Sequence, residues 1–512
     1  MNQNYSGPPP QGSQPQGQSD QSQAPWQQHP GPAQGPYQPA GVMTPTKPKS
    51  KKTAIIASVV ALALVVGGGV LAWSLLRGAA PAAAKGIPSN ALAVFEVNLN
   101  PSASDKLAVK DIAEKFPVLK EQAGEVGDDY KKALWSLVEK TSPSTPDYDS
   151  EVKQWLGDSA AIAMMPSTTG RSTATPVFSF QVTNKDAAKA FAEKHAASSK
   201  VVFNDDTMAI TDESIEITED SLKSSNITTN EDYKADMGKL GDGYLATAWV
   251  SSELVKQSFE STTGGSTASE SSIVDSRLAA GIKVEDGAIA LRTISWSKEG
   301  FKERGESVKD AADSLPTDWL GSFALSIPSE TMDKVWEQIE DLPASQKEKL
   351  KEAGITSADD LRAILGSQIS FAMTSGESGT PQFGLKVTTK DPSKHKNLIE
   401  AIAQNAGIEG LESAVEGDTV TTTFGPNSEA FKNPSNKLSS NSEHEKLTKG
   451  IDNPQFSGWV DAQQVIKLMD GNSGQGLPTN LKQNLERISG VGMVAGQIDD
   501  HYSDSWLRIG TN

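Results

Sequence analysis

The chain has 512 residues, 28 prolines, 43 glycines, no cysteine and a formal charge of −18. Without cysteine there is no disulfide framework, no thiolate metal site, no thiol nucleophile and no site for lipid attachment at cysteine. Five histidines leave little for metal sites or proton relays. The 65 acidic side chains against 47 basic ones argue against nucleic acid, whose phosphates call for a basic face.

Residues 1–52 hold 11 Pro, 11 Gln and 6 Gly, with Asp20 and a terminal cluster of Lys47, Lys49, Lys51 and Lys52 as their only charges. Such a stretch has almost no aliphatic content to offset the entropy of ordering it, so it reads as a disordered tail. Thr53 to Leu76 then runs without a charge. As a helix it would be roughly 36 Å long, enough for a hydrocarbon core of about 30 Å. The lysines before it outnumber Arg77 and Lys85 after it, which predicts a cytoplasmic N-terminus and everything beyond residue 76 outside. Ala79–Ala84, in the linker 77–86, resembles a processing site. However, the preamble and the apolar run are both too long for an ordinary signal peptide, so the segment reads as an anchor. Gly67-Gly68-Gly69 is read as glycine tolerated within the span.

Beyond the span, residues 78–512 carry 42 positive and 64 negative side chains, a net of −22. They also repeat. PSNALAVFEVNL from Pro88 corresponds to PTDWLGSFALSI from Pro316, and LGDSAAIAM from Leu156 to LGSQISFAM from Leu365. TPVFSFQVTNKDAAK from Thr175 corresponds to TPQFGLKVTTKDPSK from Thr380. Further matches follow in the same order, with offsets between 205 and 228. The expected organisation is a first α+β repeat over 87–301, a charged helical connector over 302–314 and a second repeat over 315–512. Each repeat reads as mainly antiparallel sheet with packed helices: strand, helix, two strands, helix, a further strand, strand–helix and a closing hairpin. Alternation such as Val177-Phe178-Ser179-Phe180-Gln181-Val182 predicts one buried face. Asn184 or Asp186, and Asp391-Pro392 in the second copy, are expected helix caps. Trp249 and Trp459 correspond and read as repeated core anchors. The polar loops 260–272, 435–442 and 470–480 diverge between the copies.

A search for chemistry finds no nucleophile elbow, zinc helix or phosphate loop. Ser393-Lys394-His395-Lys396 fits S-x-x-K but lacks the K-T-G and S-D-N partners of penicillin-recognising enzymes, and reads as a basic helix surface. Asp470-Gly471-Asn472-Ser473-Gly474 would need a Glu twelve positions along, where Leu481 stands, so it is no calcium loop. His501 beside Asp499 and Asp500 reads as a solvent-facing hairpin. No catalytic, cofactor-binding or metal-binding residues are assigned, and no cofactor is expected.

The pattern I-P-x-x-A-L-A-x-x-x-V-x-L-x-P-S from Ile87 to Ser102, with Lys115-Phe116-Pro117 after it, resembles domain of unknown function 3352. The resemblance covers essentially everything from Ile87 to the C-terminus. It implies an anchored, extracytoplasmic protein of the actinobacterial envelope and brings no activity, ligand or catalytic residue. The leading expectation is a non-enzymatic, single-pass membrane protein that binds an envelope protein, lipid or wall component and no nucleic acid. The alternatives are an apolar-ligand or lipid carrier with a cavity between the repeats, and a hydrolase with an unfamiliar site.

Overall fold

A computed structural model describes residues 82–116, 129–141, 145–166, 174–263, 275–301, 303–352, 354–376, 381–426, 428–472 and 479–512. The expected tail 1–52, the span 53–76 and most of the linker lie outside the described residues. Among the described residues no helix is long and apolar enough to cross a membrane.

The first copy contributes β1 (Ala93–Asn98), β2 (Leu156–Met165), β3 (Thr175–Val182), β4 (Lys200–Asn204), β5 (Thr207–Thr211), β6 (Ala246–Val250), β7 (Ser276–Glu285) and β8 (Ala288–Ser297). The second contributes β9 (Gly321–Ser326), β10 (Gln368–Ser375), β11 (Pro381–Thr388), β12 (Leu411–Glu416), β13 (Thr419–Phe424), β14 (Phe456–Asp461), β15 (Ile488–Gln497) and β16 (Tyr502–Thr511). They form one antiparallel sheet of 16 strands in the order β12-β13-β11-β10-β9-β14-β15-β16-β8-β7-β6-β1-β2-β3-β5-β4. Read from its middle outward, each half has the same order. The joint is the pair β8–β16, in which Arg292 stands opposite Trp506. Those two residues are also equivalents in the two copies, so a local two-fold axis passes through that pair.

The repetition extends to detail. Pro88 bridges to Asn226 and Pro316 to Lys437 at matching places. Asn184 caps the helix Lys185–His195 by accepting from the Ala187 N–H, and Asp391 caps Pro392–Asn405 by accepting from the Lys394 N–H. Side-chain acceptors there satisfy amides that the first helical turn leaves free. Trp249 and Trp459 are both buried, each edge-on to an aromatic of the neighbouring helix, Tyr233 at 5.7 Å and His444 at 5.8 Å. The tight β7–β8 turn uses Asp286 and Gly287, both with positive φ, as a two-residue hairpin requires.

Three expectations change. Each copy carries a complete hairpin, β4–β5 and β12–β13, where a single further strand was expected, because Asp205-Asp206 and Gly417-Asp418 make tight turns. In the connector, helix covers only Lys309–Asp313. The third concerns burial. In β3 both faces are covered: Val177, Phe178, Ser179 and Phe180 are all buried. In the central strands the sense of the alternation is reversed. Along β16, Tyr502, Asp504, Trp506 and Arg508 are buried, while Ser503, Ser505, Leu507 and Ile509 are half-exposed.

Candidate interaction surface

Residues paired directly across antiparallel strands share a face. One row of such pairs crosses the whole sheet: Phe203, Met208, Phe180, Ala160, Val97, Ala246, Ile282, Leu291, Leu507, Met493, Gly458, Phe323, Phe371, Leu385, Thr422 and Ser413. Outside the bulged start of β2, no charged strand residue lies on this face. Glu96, Arg277, Lys283, Glu285, Arg292, Lys386, Asp504 and Arg508 all project from the other one. In a chain whose residues are 22% charged, that segregation is a property of the sheet and not of composition.

At the outer part of the first copy the charge-free face is covered. Val97, Phe178, Phe180 and Met208 are buried with Val109, Ile112 and Phe191 from helices Ala103–Lys115 and Lys185–His195. From β10 to β2 much of the face is accessible. Met164 is 43% exposed and its counterpart Met373 44%; Met493 is 45% exposed and Val460 41%. Across the second copy, Phe456, Phe323, Phe371, Phe383 and Phe424 form a half-exposed ladder with successive ring centroids 5.4 to 6.4 Å apart. Soluble proteins seldom leave large contiguous apolar surface uncovered without an interaction to cover it.

The opposite face explains why the charges are where they are. Asp236, 1% exposed, accepts from Arg277 Nε at 2.8 Å and Nη2 at 3.1 Å, from Trp249 Nε1 at 2.9 Å and from Tyr502 Oη at 2.8 Å. Tyr502 belongs to the second copy, so the cluster ties the halves together. Burial beside Asp236 pushes its phenol up to about 12. Nearby, the Tyr233 hydroxyl donates to the buried carboxyl of Glu96. Desolvation raises Glu96 to about 7, opposed by that hydrogen bond. At the places related to these by the local two-fold axis, Ala324, His444, Leu447, Gly490 and Ala288 stand for Glu96, Tyr233, Asp236, Arg277 and Tyr502, so among the described residues the network exists once. At the joint, Arg292 forks onto Asp504 with Nη2 at 2.7 Å, and Arg508 Nε meets Glu285 at 2.9 Å. The Trp506 ring is flanked by Arg508 at 4.1 Å and Lys283 at 4.8 Å. These charges are internally matched and serve cohesion.

Two clefts among the described residues offer alternatives. One, of about 590 Å³ in the second copy, is lined by Glu303, Arg362, Asp359, Asp391 and Lys394 among others. Most of its charges are spent on each other or on the framework. Arg362 pairs with Asp359 at 2.8 Å and with Asp333, Lys394 pairs with Asp360 at 2.8 Å, and Glu303 accepts from the Ser329 hydroxyl. The other, of about 490 Å³ where the copies meet, lies between helix Ala103–Lys115, Gly287 and Arg487. Lys115 Nζ reaches across it to Thr511 Oγ1 at 2.9 Å.

The sequence motifs fall elsewhere. In the S-x-x-K pattern Lys396 pairs with Glu400, Lys394 with Asp360, and His395 is buried with Nδ1 3.1 Å from the Ala363 carbonyl, so the lysines form an ion-paired helix surface. His501 is exposed and stacks on Trp296, while Asp499 pairs with Lys239. Of the Asp470–Gly474 stretch, Asp470–Asn472 end the helix Ala462–Asn472, and residues 473–478 lie outside the described residues. Among the described residues no three His, Asp or Glu side chains converge to hold a metal ion.

Residues 55–225 match the family model described as "Protein of unknown function (DUF3352)". The expected likeness to domain of unknown function 3352 holds there. The match takes in the uncharged segment and the first copy as far as Ser225, and leaves the second copy outside it. No curated protein matches the chain. Two crystal forms of TP0453, III and IV, are similar at 13% and 14% identity. They cover 40% and 39% of this chain and 82% and 83% of their own, with TM-scores of 0.22 and 0.21. At those scores the likeness says nothing about the fold.

Proposed function

We propose that this is a non-enzymatic envelope protein, held in the membrane by residues 53–76, whose outer part binds an apolar partner surface through the charge-free face of its sheet. The observation that carries the reading is the reversed burial of the central strands. Charges are turned inward and matched, while Phe, Met, Leu and Val are left accessible in both copies. Actinobacterial origin and extracytoplasmic placement are parts of the same proposal, drawn from the lysine collar and the family likeness.

Because the chain has no cysteine, one can be placed at will. In the full chain with Met373→Cys, labelling by a maleimide in its own membranes should be slow and should rise at least tenfold after detergent separates the partners. Equal labelling before and after would remove the proposal.

The phenylalanine ladder supports a second reading, in which the occupant is an acyl chain lying across β14, β9, β10, β11 and β13. Native mass spectrometry of the gently extracted chain then shows bound lipid, and Phe371→Ser abolishes it. The hydrolase reading has no comparable observation behind it.

A further inference from the structure

We infer that the occupant of the charge-free face is a second copy of this chain, stacked sheet on sheet; this rests on the binding role proposed for that face.

Three observations choose this occupant. The first is area. Ten strands from β10 to β2, at about 4.8 Å spacing and about 20 Å of strand length, span roughly 850 Å². The ends of β2, β1, β6, β7 and β8 at Ala160, Val97, Ala246, Val284 and Ile289 are already buried, which leaves roughly 650 Å², within the range of about 600–1,000 Å² per partner of a stable interface. The second is symmetry. The local two-fold axis at Arg292 and Trp506 repeats the apolar pattern, so that Met164 and Val250 recur as Met373 and Val460. A partner related by a two-fold axis in the plane between the sheets can therefore set the Met164 patch of one chain on the Met373 patch of the other, twice over. Isologous contacts require such self-complementarity. The third is charge. Residues 78–512 carry −22, and identical bodies repel when acidic surfaces meet. The charge-free face lets two copies approach with no like charges standing opposite. Packed sheets sit about 10 Å apart, with side chains from the two inner faces interdigitating. The flexible side chains of Met164, Met373 and Met493 suit that contact.

The seam supplies the test. Ser505 is half-exposed on this face, one residue from the two-fold position, so in the stacked pair it lies near its own counterpart. The full chain with Ser505→Cys, in its own membranes, is treated with a bismaleimide of about 10 Å reach. Glu231→Cys, exposed on a helix of the opposite face, is the control. The expected result is a covalent dimer at twice the chain mass for Ser505→Cys and at least a fivefold smaller yield for Glu231→Cys. Adding Leu507→Glu, which places a charge beside Ser505 on the same face, should return the yield to the control level. If Met373→Cys is protected while Ser505→Cys gives only monomer, or an adduct of another mass, the second copy is overturned and the binding face stands. If Met373→Cys labels freely in the membrane, both are overturned.

Discussion

Glu96 shows how far one side chain can depart from its ordinary chemistry when a strand carries it inward. Its neighbours on the helix-covered face are Tyr233, which donates to it, and the Asp236–Arg277 pair beyond, with Asp232 on the outer side of Arg277. Folding raises its pKa from 4.5 to about 7, so between those values the folded chain holds a proton that the unfolded chain has lost. Stability from this group is therefore complete below about pH 4.5, declines as pH rises and is gone above about 7, a change of about 3 kcal/mol. Glu96→Gln should flatten the fall in urea midpoint between pH 5 and 8. A variant with the wild-type slope would show that another group carries it. Sequence reading passes over Glu96, because an E in an alternating strand looks like its solvent side.

At the scale of elements, the strands accept aromatics from above through glycine. Phe431, from helix Ser428–Lys432, lies flat on Gly384 of β11, where a Cβ would stand 2.1 Å from the ring. Trp459 lies on Gly490 of β15 in the same way, at 2.3 Å. Gly384→Ala must push the ring and its helix outward, and overpacking of this kind costs about 1–3 kcal/mol. Chemical denaturation should show that loss, with Phe431→Leu in the same chain recovering part of it. If Gly384→Ala is neutral, the helix is looser than its buried phenylalanine implies. The helix caps at Asn184 and Asp391 were legible because each depends on residues within three positions of one another. The glycine seats were not, since the ring that needs them lies some 30 to 50 residues away along the chain.

The strands of the described residues form one sheet, which should unfold as one body. With the two halves hydrogen-bonded through β8 and β16 and tied by Tyr502 to Asp236, losing either half exposes the edge of the other. A single thermal transition is expected, with the buried Trp249 and Trp459 reporting the same midpoint in variants that keep one of them. Tyr502→Phe, which removes a hydrogen bond to a buried charge worth about 1.5–3 kcal/mol, should lower both midpoints together. Two separated midpoints would mean that the joint contributes little.

The sequence by itself determined the repeat, the α+β class, the helix caps and the buried tryptophan pair, because each is written in local pattern or in the likeness of one copy to the other. It also carried the family likeness, though the match runs over residues 55–225 and, against expectation, does not reach the C-terminus. Only the tertiary structure decided that the copies share one sheet and which face of that sheet is inside. Alternation has a period of two and no sign. Leu507 and Arg508 alternate equally well whichever is buried, and the choice falls to partners over 200 residues earlier, Glu285 and Arg292, that give inward charges their counter-charges. With those ion pairs inside, the uncharged residues are left to face outward.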